Sequence, residues 1–425
     1  VKETEVSEIR DFVMGEPICD NHEHQNGFAA LDGRKARLDY GEFVGYAAAD
    51  LATAAGVGGM PAPQEQLSVE QFFGLWESVR TTGYGQATEL ACRAVLEMDF
   101  TAANAERITA ALRQYAAGLD AAAIYDDLLA KAGIRWALND CCWDSPTKLR
   151  FFDGSDHPAC YLQMLRCDAV LMVRSRGEVD GLEQAFERPI QRLADLDAAL
   201  DDYAERARSG GRLGGMKSAL PYWRRVDFGQ SSFADAERAF EAMMQERPAE
   251  LRPLHDYLFH RFVQRAREFD VPVQLHTGYL AGNWGDPGQG NPELLVPVFR
   301  RYKNVCFDVF HAGWPYSEVA GAIAKAFPNV YLDMCWAWTM NPAQMDRILS
   351  EWLAAVPHNK IFGYGGDTGN PFVMVGYALQ ARRGIANVLA RKVESGEYDL
   401  ATAQRVARCI MHENAQDVYG IAGAP

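Results

Sequence analysis

Long hydrophobic runs are missing from this chain of 425 residues. No stretch of about 18 uninterrupted apolar residues occurs, which argues against an ordinary membrane-spanning helix. Positive charge is also scarce: 42 Lys and Arg stand against 57 Asp and Glu, a net charge of −15. That balance argues against a broad surface for nucleic acid or anionic lipid, but leaves room for a small basic pocket that takes an acidic substrate. No CxxC pair exists among the nine cysteines, Cys19, Cys92, Cys141, Cys142, Cys160, Cys167, Cys306, Cys335 and Cys409. An odd and scattered set does not make a disulfide framework; it suits a reducing cytoplasm, and several of these cysteines sit in apolar runs as small core residues. Residues 1–5 lack the apolar stretch of a signal peptide, and the first residue is not Met, so a trimmed leader stays open. What is present is a composition that is 48% hydrophobic and 23% charged, enough to bury a sizeable core. The length allows two or three domains, or one large barrel with insertions.

Short β-type runs recur along the chain. They are expected at residues 17–22, 134–140, 169–173, 212–217, 271–276, 305–311, 330–335 and 360–365. Helical patterns alternate with them, at residues 254–269, 292–303, 317–327 and 342–356. Strand and helix in alternation predict βα units around a parallel sheet. Eight such strands fit an α/β fold of the (β/α)8 TIM-barrel type better than an open sheet. No G-x-G-x-x-G follows the first strand, which weakens a dinucleotide-binding alternative. Roughly a hundred residues separate the first two strands, far beyond a usual barrel connection. The stretch is Ala-rich and helix-prone at residues 89–98, 105–117 and 121–132, with a Gly- and Pro-containing segment at 45–64 expected to be a mobile loop. A helical insertion of about residues 25–133 is expected at the barrel mouth, within one barrel domain covering residues 1–425. A charged helix at residues 182–208 covers the barrel, and helices at 370–394 and 400–419 close the last unit.

The sharpest local signal is Asp20-Asn21-His22-Glu23-His24. Side chains at i and i+2 of a strand share a face, and at the C-terminal end of a barrel strand that face is the mouth, where active sites of this fold lie. Two adjacent imidazoles there make sense as neutral ligands of one cation. Further ligand and proton-carrier types fall at later strand ends: Lys217 after the fourth, His276 after the fifth, His311 after the sixth and Asp367 after the eighth. The other five histidines, His157, His255, His260, His358 and His412, sit in loops or helical patterns and are expected to be structural.

This order resembles the amidohydrolase superfamily of metal-dependent barrel enzymes: HxH on the first strand, Lys or Glu on the fourth, His on the fifth and sixth, Asp on the eighth. The runs at residues 271–278, 310–316 and 328–333, with His412-Glu413-Asn414-Ala415 near the end, are similar to the amidohydrolase-related branch. That branch includes glucuronate-isomerase-like proteins and the amidohydrolase-type domain fused to glutamine-synthetase-like domains. The chain departs from the pattern in two places. Thr368-Gly369-Asn370 follows Asp367 where relatives often carry a His, and Tyr222 is followed by Trp223 before Arg224 and Arg225.

The resemblance implies a divalent metal, zinc in the first instance, held by His22, His24, His276 and Asp367. A bound metal brings the pKa of water to about 7. Asp367 is then a ligand or the base, and His311 polarises a carbonyl or protonates a leaving group. Lys217 either is carboxylated and bridges a second ion, or stays an ammonium that pairs with a substrate carboxylate; a salt bridge in the mouth is its structural alternative. Arg224, Arg225, Tyr222, Trp284 and Trp314 are candidates for substrate binding, as Asn139, Asp140, Asn283, Tyr316, Trp336 and Trp338 are for the pocket wall. The expected activity is hydrolysis of an amide, ester or lactone of a small carboxylated substrate. Decarboxylation of an aromatic acid, isomerisation of a uronate, and a non-catalytic binding protein with a relic site are the alternatives. A small molecule is the expected partner, in a homo-oligomer without nucleic acid or membrane.

Overall fold

The computed structural model describes residues 2–141 and 151–421; Cys142, one of the scattered cysteines, lies outside them. Eight strands run β1 (Ile18–Glu23), β2 (Ile134–Asn139), β3 (Tyr161–Arg166), β4 (Leu213–Ser218), β5 (Val273–Leu275), β6 (Phe307–Val309), β7 (Val330–Asp333) and β8 (Ile361–Phe362). Each pairs in parallel with the next, in sequence order. Closure between the last and first strands is made by backbone bonds just beyond β8. Asn21 N–H donates to Tyr364 O at 3.1 Å, Asp367 N–H to His22 O at 2.7 Å and His24 N–H to Thr368 O at 3.1 Å. The result is a (β/α)8 barrel whose closing seam carries three of the expected site positions, His22, His24 and Asp367.

The strands form because they are covered on both sides, which suits near-continuous apolar runs rather than alternation. Inside the barrel Cys19, Trp136, Leu138, Met164, Phe362 and Tyr419 pack together. The larger apolar layer lies between strands and helices. The 25-residue helix Pro371–Ser395 is its longest member and packs on the helices Gly83–Leu96 and Lys2–Gly15. Local signals set the boundaries. Asp120 caps the helix Ala121–Ala132 by accepting from Ala123 N–H, and Gly133 ends it at φ 71° immediately before β2. A side chain at Gly133 would also meet the Arg382 guanidinium, which binds the carbonyls of Ala132 and Gly133.

Two sequence expectations are corrected. The third strand is Tyr161–Arg166; Asp168–Leu171, in the run expected to be that strand, is instead a short buried helix. A brief apolar run is equally compatible with a buried strand and a buried helical turn, so its periodicity could not decide. Between β1 and β2 the regular elements described are all helices, including Ala47–Ala54 within the segment expected to be a loop. Its Ala-rich sequence favours helix, and the Gly and Pro residues cluster after it. No helix among the described residues is long and apolar enough to cross a membrane, and the eight described cysteines are free thiols.

Candidate active site

The C-terminal strand ends bring together His22 and His24 (β1), Asp140 (β2), Arg166 (β3), Lys217 (β4), His276 (β5), His311 (β6), Cys335 (β7) and Asp367 (β8). Beside them opens a cavity of about 600 Å³, lined by His24, Tyr46, Arg166, Lys217, Tyr222, Trp223, His276 and Asp367, with Ala219, Ala281 and Gly369 between them.

Hydrogen bonds fix how each imidazole is presented. Gln274 Nε2 donates to Asn21 O at 2.8 Å and to Tyr419 Oη at 3.1 Å, so its Oε1 end faces His22 Nδ1 at 2.8 Å and accepts from it. The fully buried His22 therefore offers an unprotonated Nε2, which has no hydrogen-bond partner and lies 3.6 Å from Asp367 Oδ1. His24 Nδ1 is 3.2 Å from the carbonyl of Asp140, leaving Nε2 toward Asp367 Oδ1 at 3.0 Å. His276 Nε2 donates to Tyr279 O at 2.8 Å, and His311 Nδ1 to Cys335 O at 3.1 Å. Both partners are carbonyls, which can only accept. In neutral rings His276 Nδ1 and His311 Nε2 are then two lone pairs facing each other at 3.0 Å. Burial, reinforced by Lys217, holds His22 and His276 well below the usual histidine range. Burial and His276 do the same to His311. These imidazoles are neutral, so the approach of His22 to Asp367 is not an ion pair.

Acceptors aimed at acceptors in a buried site call for a cation, and neutral imidazole with carboxylate is a usual donor set for zinc and its neighbours. Two groups of three ligand-type side chains meet this description among the described residues. His22, His24 and Asp140 form one, and His311, Cys335 and Asp367 the other; in each, the ligand atoms lie within 4.8 Å of one another. Asp367 stands between them, with Oδ1 toward His22 and His24 and Oδ2 4.0 Å from His311 Nε2. The residues present thus fit a divalent metal.

Asp367 is tightly held. Its φ is +54°, a strained region for a side-chain-bearing residue. Three successive amides of its loop are tied to β1: Gly366 N–H donates to Asp20 Oδ1 at 2.9 Å, Asp367 N–H to His22 O, and Thr368 N–H to Glu23 Oε2 at 2.9 Å. From the helical segment, the Tyr46 hydroxyl donates to Asp367 O at 2.8 Å. Burial opposes ionisation of Asp367, but the hydrogen bond with His24 at 3.0 Å and the nearby Lys217 ammonium outweigh it and hold the carboxyl below its ordinary value. Beneath it burial pushes both Asp20 and Glu23 up; the Asp20 charge raises Glu23 further, while the hydrogen bond from Glu23 draws Asp20 partly back. Asp308 and Asp333 form a second raised pair, reached from His22 through Gln274 and the Tyr419 hydroxyl, which donates to Asp308 Oδ2 at 2.5 Å.

The opposite wall is cationic. Arg166 gives Nε to Asp168 Oδ2 at 2.7 Å and one terminal nitrogen to Asp140 Oδ2 at 3.2 Å, so its guanidinium is fixed at the cavity edge. Lys217 pairs with Arg166 in register, and its Nζ lies 3.4 Å over the Phe310 ring. Burial draws its pKa down to about 8, despite the nearby charge of Asp367.

Of the expected substrate-binding residues, Tyr222 lines the cavity, 4.9 Å from the His276 ring. Arg224 turns away to Asp256 at 2.8 Å, because Asp256 and Asp227 offer it carboxylates outside the mouth. Trp284 is 88% exposed, with its indole against Gly58. Trp314 donates its indole N–H to Gln344 at 2.7 Å and does not line the cavity. His276 sits against His311 rather than converging with His22 and His24 on Asp367 Oδ1. Arg166, Tyr46 and Cys335 were not singled out from sequence. Arg166 could have been found as the last residue of Tyr161–Arg166 had the third strand been placed there.

Comparison with known proteins agrees with this fold. The amidohydrolase family model matches residues 188–421. Protein fluG of Emericella nidulans is 28% identical over 228 residues, half of this chain, which spans about a quarter (26%) of that protein's length. The uronate isomerase of Thermotoga maritima superposes with a TM-score of 0.79 at 16% identity, over 98% of this chain and 97% of that one. The glucuronate isomerase of Caulobacter crescentus gives a TM-score of 0.79 at 15% identity, over 100% and 95%. At such identity these two structures establish the fold, while the family match covers more than half of the residues and includes Lys217, His276, His311 and Asp367. The chain belongs to the amidohydrolase family.

Proposed function

We propose that this protein is a metal-dependent hydrolase acting on an amide, ester or lactone of a small carboxylated substrate with a flat or apolar body. The observation that supports it most is the polarity of the mouth: an ionised Asp367 among imidazoles at one end, and Arg166 with Lys217 at the other. His22 and His24, with Asp367 or Asp140, would hold the metal, which when bound supplies Lewis-acid polarisation of the scissile carbonyl and makes water more acidic.

The chain's own residues do the rest. Arg166 binds the substrate carboxylate, since a guanidinium fixed by two carboxylates presents a pre-set edge. Lys217 adds a second positive charge. Tyr222, Trp223 and Tyr46 flank the substrate body and exclude water. Asp367 takes a proton from the attacking water at a carboxylate oxygen and returns it to the leaving group. We assign that return to Asp367 rather than His311, because His311 is fully buried and is absent from the cavity wall.

The uronate isomerisation named for the structural neighbours is the second reading. Against it, the wall between the charged ends is largely aromatic and alanine, with few partners for the hydroxyls of an open-chain sugar acid. A screen of lactones, N-acyl amino acids, aromatic acids and uronates in heavy-oxygen water tests the assignment. Hydrolysis places the label in a product carboxylate. Turnover of a uronate or an aromatic acid without label would overturn it.

A further inference from the structure

We propose that Cys335 is a metal ligand: with His311 and Asp367 it forms a second cation position, distinct from that of His22 and His24, that selects a thiophilic divalent ion such as zinc or cadmium. The proposal rests on the reading that the barrel mouth binds a divalent metal, and adds to it the place and the softness of a second ion.

Cys335 follows β7, two residues beyond Asp333, and is fully buried. A cysteine there could be no more than a small core residue. Its surroundings argue otherwise. A ring nitrogen of His311, Sγ of Cys335 and a carboxylate oxygen of Asp367 lie within 4.8 Å of one another. In a tetrahedral zinc site, bonds of about 2.0–2.3 Å set ligand atoms roughly 3.5 Å apart, so a modest contraction closes the group on one ion. Space for the sulfur is made by Gly365, where an added Cβ would lie 2.8 Å from Sγ. Backbone bonds fix the position. Cys335 N–H donates to Asp333 Oδ1 at 2.7 Å, and Cys335 O accepts from His311 Nδ1 at 3.1 Å. That second bond leaves His311 Nε2 as the unprotonated nitrogen, facing the lone pair of His276 at 3.0 Å. Asp367 Oδ2 lies on this side, while Oδ1 faces His22 and His24. One carboxylate is thus placed to serve both positions.

A cysteine thiol is largely protonated at neutral pH. Binding therefore exchanges one proton for one metal–sulfur bond: the thiol loses H⁺ to solvent as the divalent ion takes the thiolate, with no redox change. Thiolate favours zinc-like ions over magnesium or calcium.

The test is a titration of metal-free protein with Co²⁺ and Cd²⁺, followed by ultraviolet thiolate-to-metal charge transfer and by elemental analysis. The expected result is a second equivalent that brings a thiolate band and releases a proton. Cys335→Ser should lose that band and one zinc per chain, while Cys306→Ser, at the other end of the barrel, keeps both. X-ray absorption of the zinc-loaded wild type should show a sulfur neighbour, a readout that needs no variant to fold. A second equivalent without sulfur, no second equivalent, or a band that survives in Cys335→Ser would each overturn the proposal. One sulfur-free ion together with hydrolytic turnover would remove Cys335 and leave the proposed function standing; no ion at all would remove both.

Discussion

Replacing Asp367 by Asn isolates its proton-carrying role from its shape. The loop around it is fixed through amides, not through the carboxylate: Gly366, Asp367 and Thr368 N–H groups all donate to β1, and Tyr46 binds the carbonyl. Asn is isosteric and should sit in the same place. The wild-type carboxyl is held below its ordinary value, so it is an available acceptor at any pH above the carboxylate range. An amide cannot take the proton. Loss of a general base costs about two to four orders of magnitude in turnover, or about 3–5 kcal/mol of transition-state stabilisation. The fall should lie in kcat, with KM changed little, because Arg166 and Lys217 still bind the substrate carboxylate. The assay is steady-state hydrolysis of the best substrate from the screen, with metal content measured on the same samples. Unchanged kcat at full metal occupancy would refute the reasoning. Metal loss in parallel with activity would show Asp367 to be chiefly a ligand.

Further expectations follow from neighbouring contacts. Arg166→Gln should raise KM for carboxylated substrates at least tenfold with a smaller effect on kcat, because it removes the fixed charge while Lys217 remains; equal loss for an uncharged analogue would contradict the carboxylate assignment. Lys217 is an ammonium below its pKa of about 8 and neutral above it, so kcat/KM should decline as pH rises through that value, and Lys217→Met should abolish that limb of the profile. Asp308 is raised by burial to about 7, so the folded state binds a proton that the unfolded chain releases near its ordinary value. This contribution to stability is complete below the unfolded carboxylate range and is lost as pH rises through about 7; thermal melts of chelated wild type should show that slope, and Asp308→Asn should flatten it. Gly366→Ala would put a Cβ 2.1 Å from Glu23 Oε1, and overpacking beside the Asp20–Glu23 pair should cost about 1–3 kcal/mol in denaturant unfolding.

Much of this site is legible in the sequence because a parallel barrel converts order along the chain into position around a ring. His22, Lys217, His276, His311 and Asp367 each end a strand or follow one closely, so finding the strand finds the residue. Arg166 shows the reverse. An apolar run at residues 169–173 competed with Tyr161–Arg166 for the third strand, and moving the strand hid the arginine with it. Arg224, Trp284 and Trp314 are the right residue types near the right strand ends. Their direction depends on partners far along the chain, Asp256, Gly58 and Gln344, which no local pattern reveals. Tyr46 is hidden for the same reason: it comes from the helical segment and meets Asp367 across 321 positions. The Gln274–Tyr419–Asp308 chain behind His22 is likewise a product of tertiary packing inside the barrel.

The claim on which the rest depends is that the barrel mouth binds a divalent metal through His22 and His24, and elemental analysis tests it most directly. Purified wild-type protein should carry a divalent transition metal, and the His22→Ala/His24→Ala double variant should lose at least one equivalent per chain while keeping its helical circular dichroism and cooperative unfolding. Equal metal content in the folded double variant and the wild type would contradict the account.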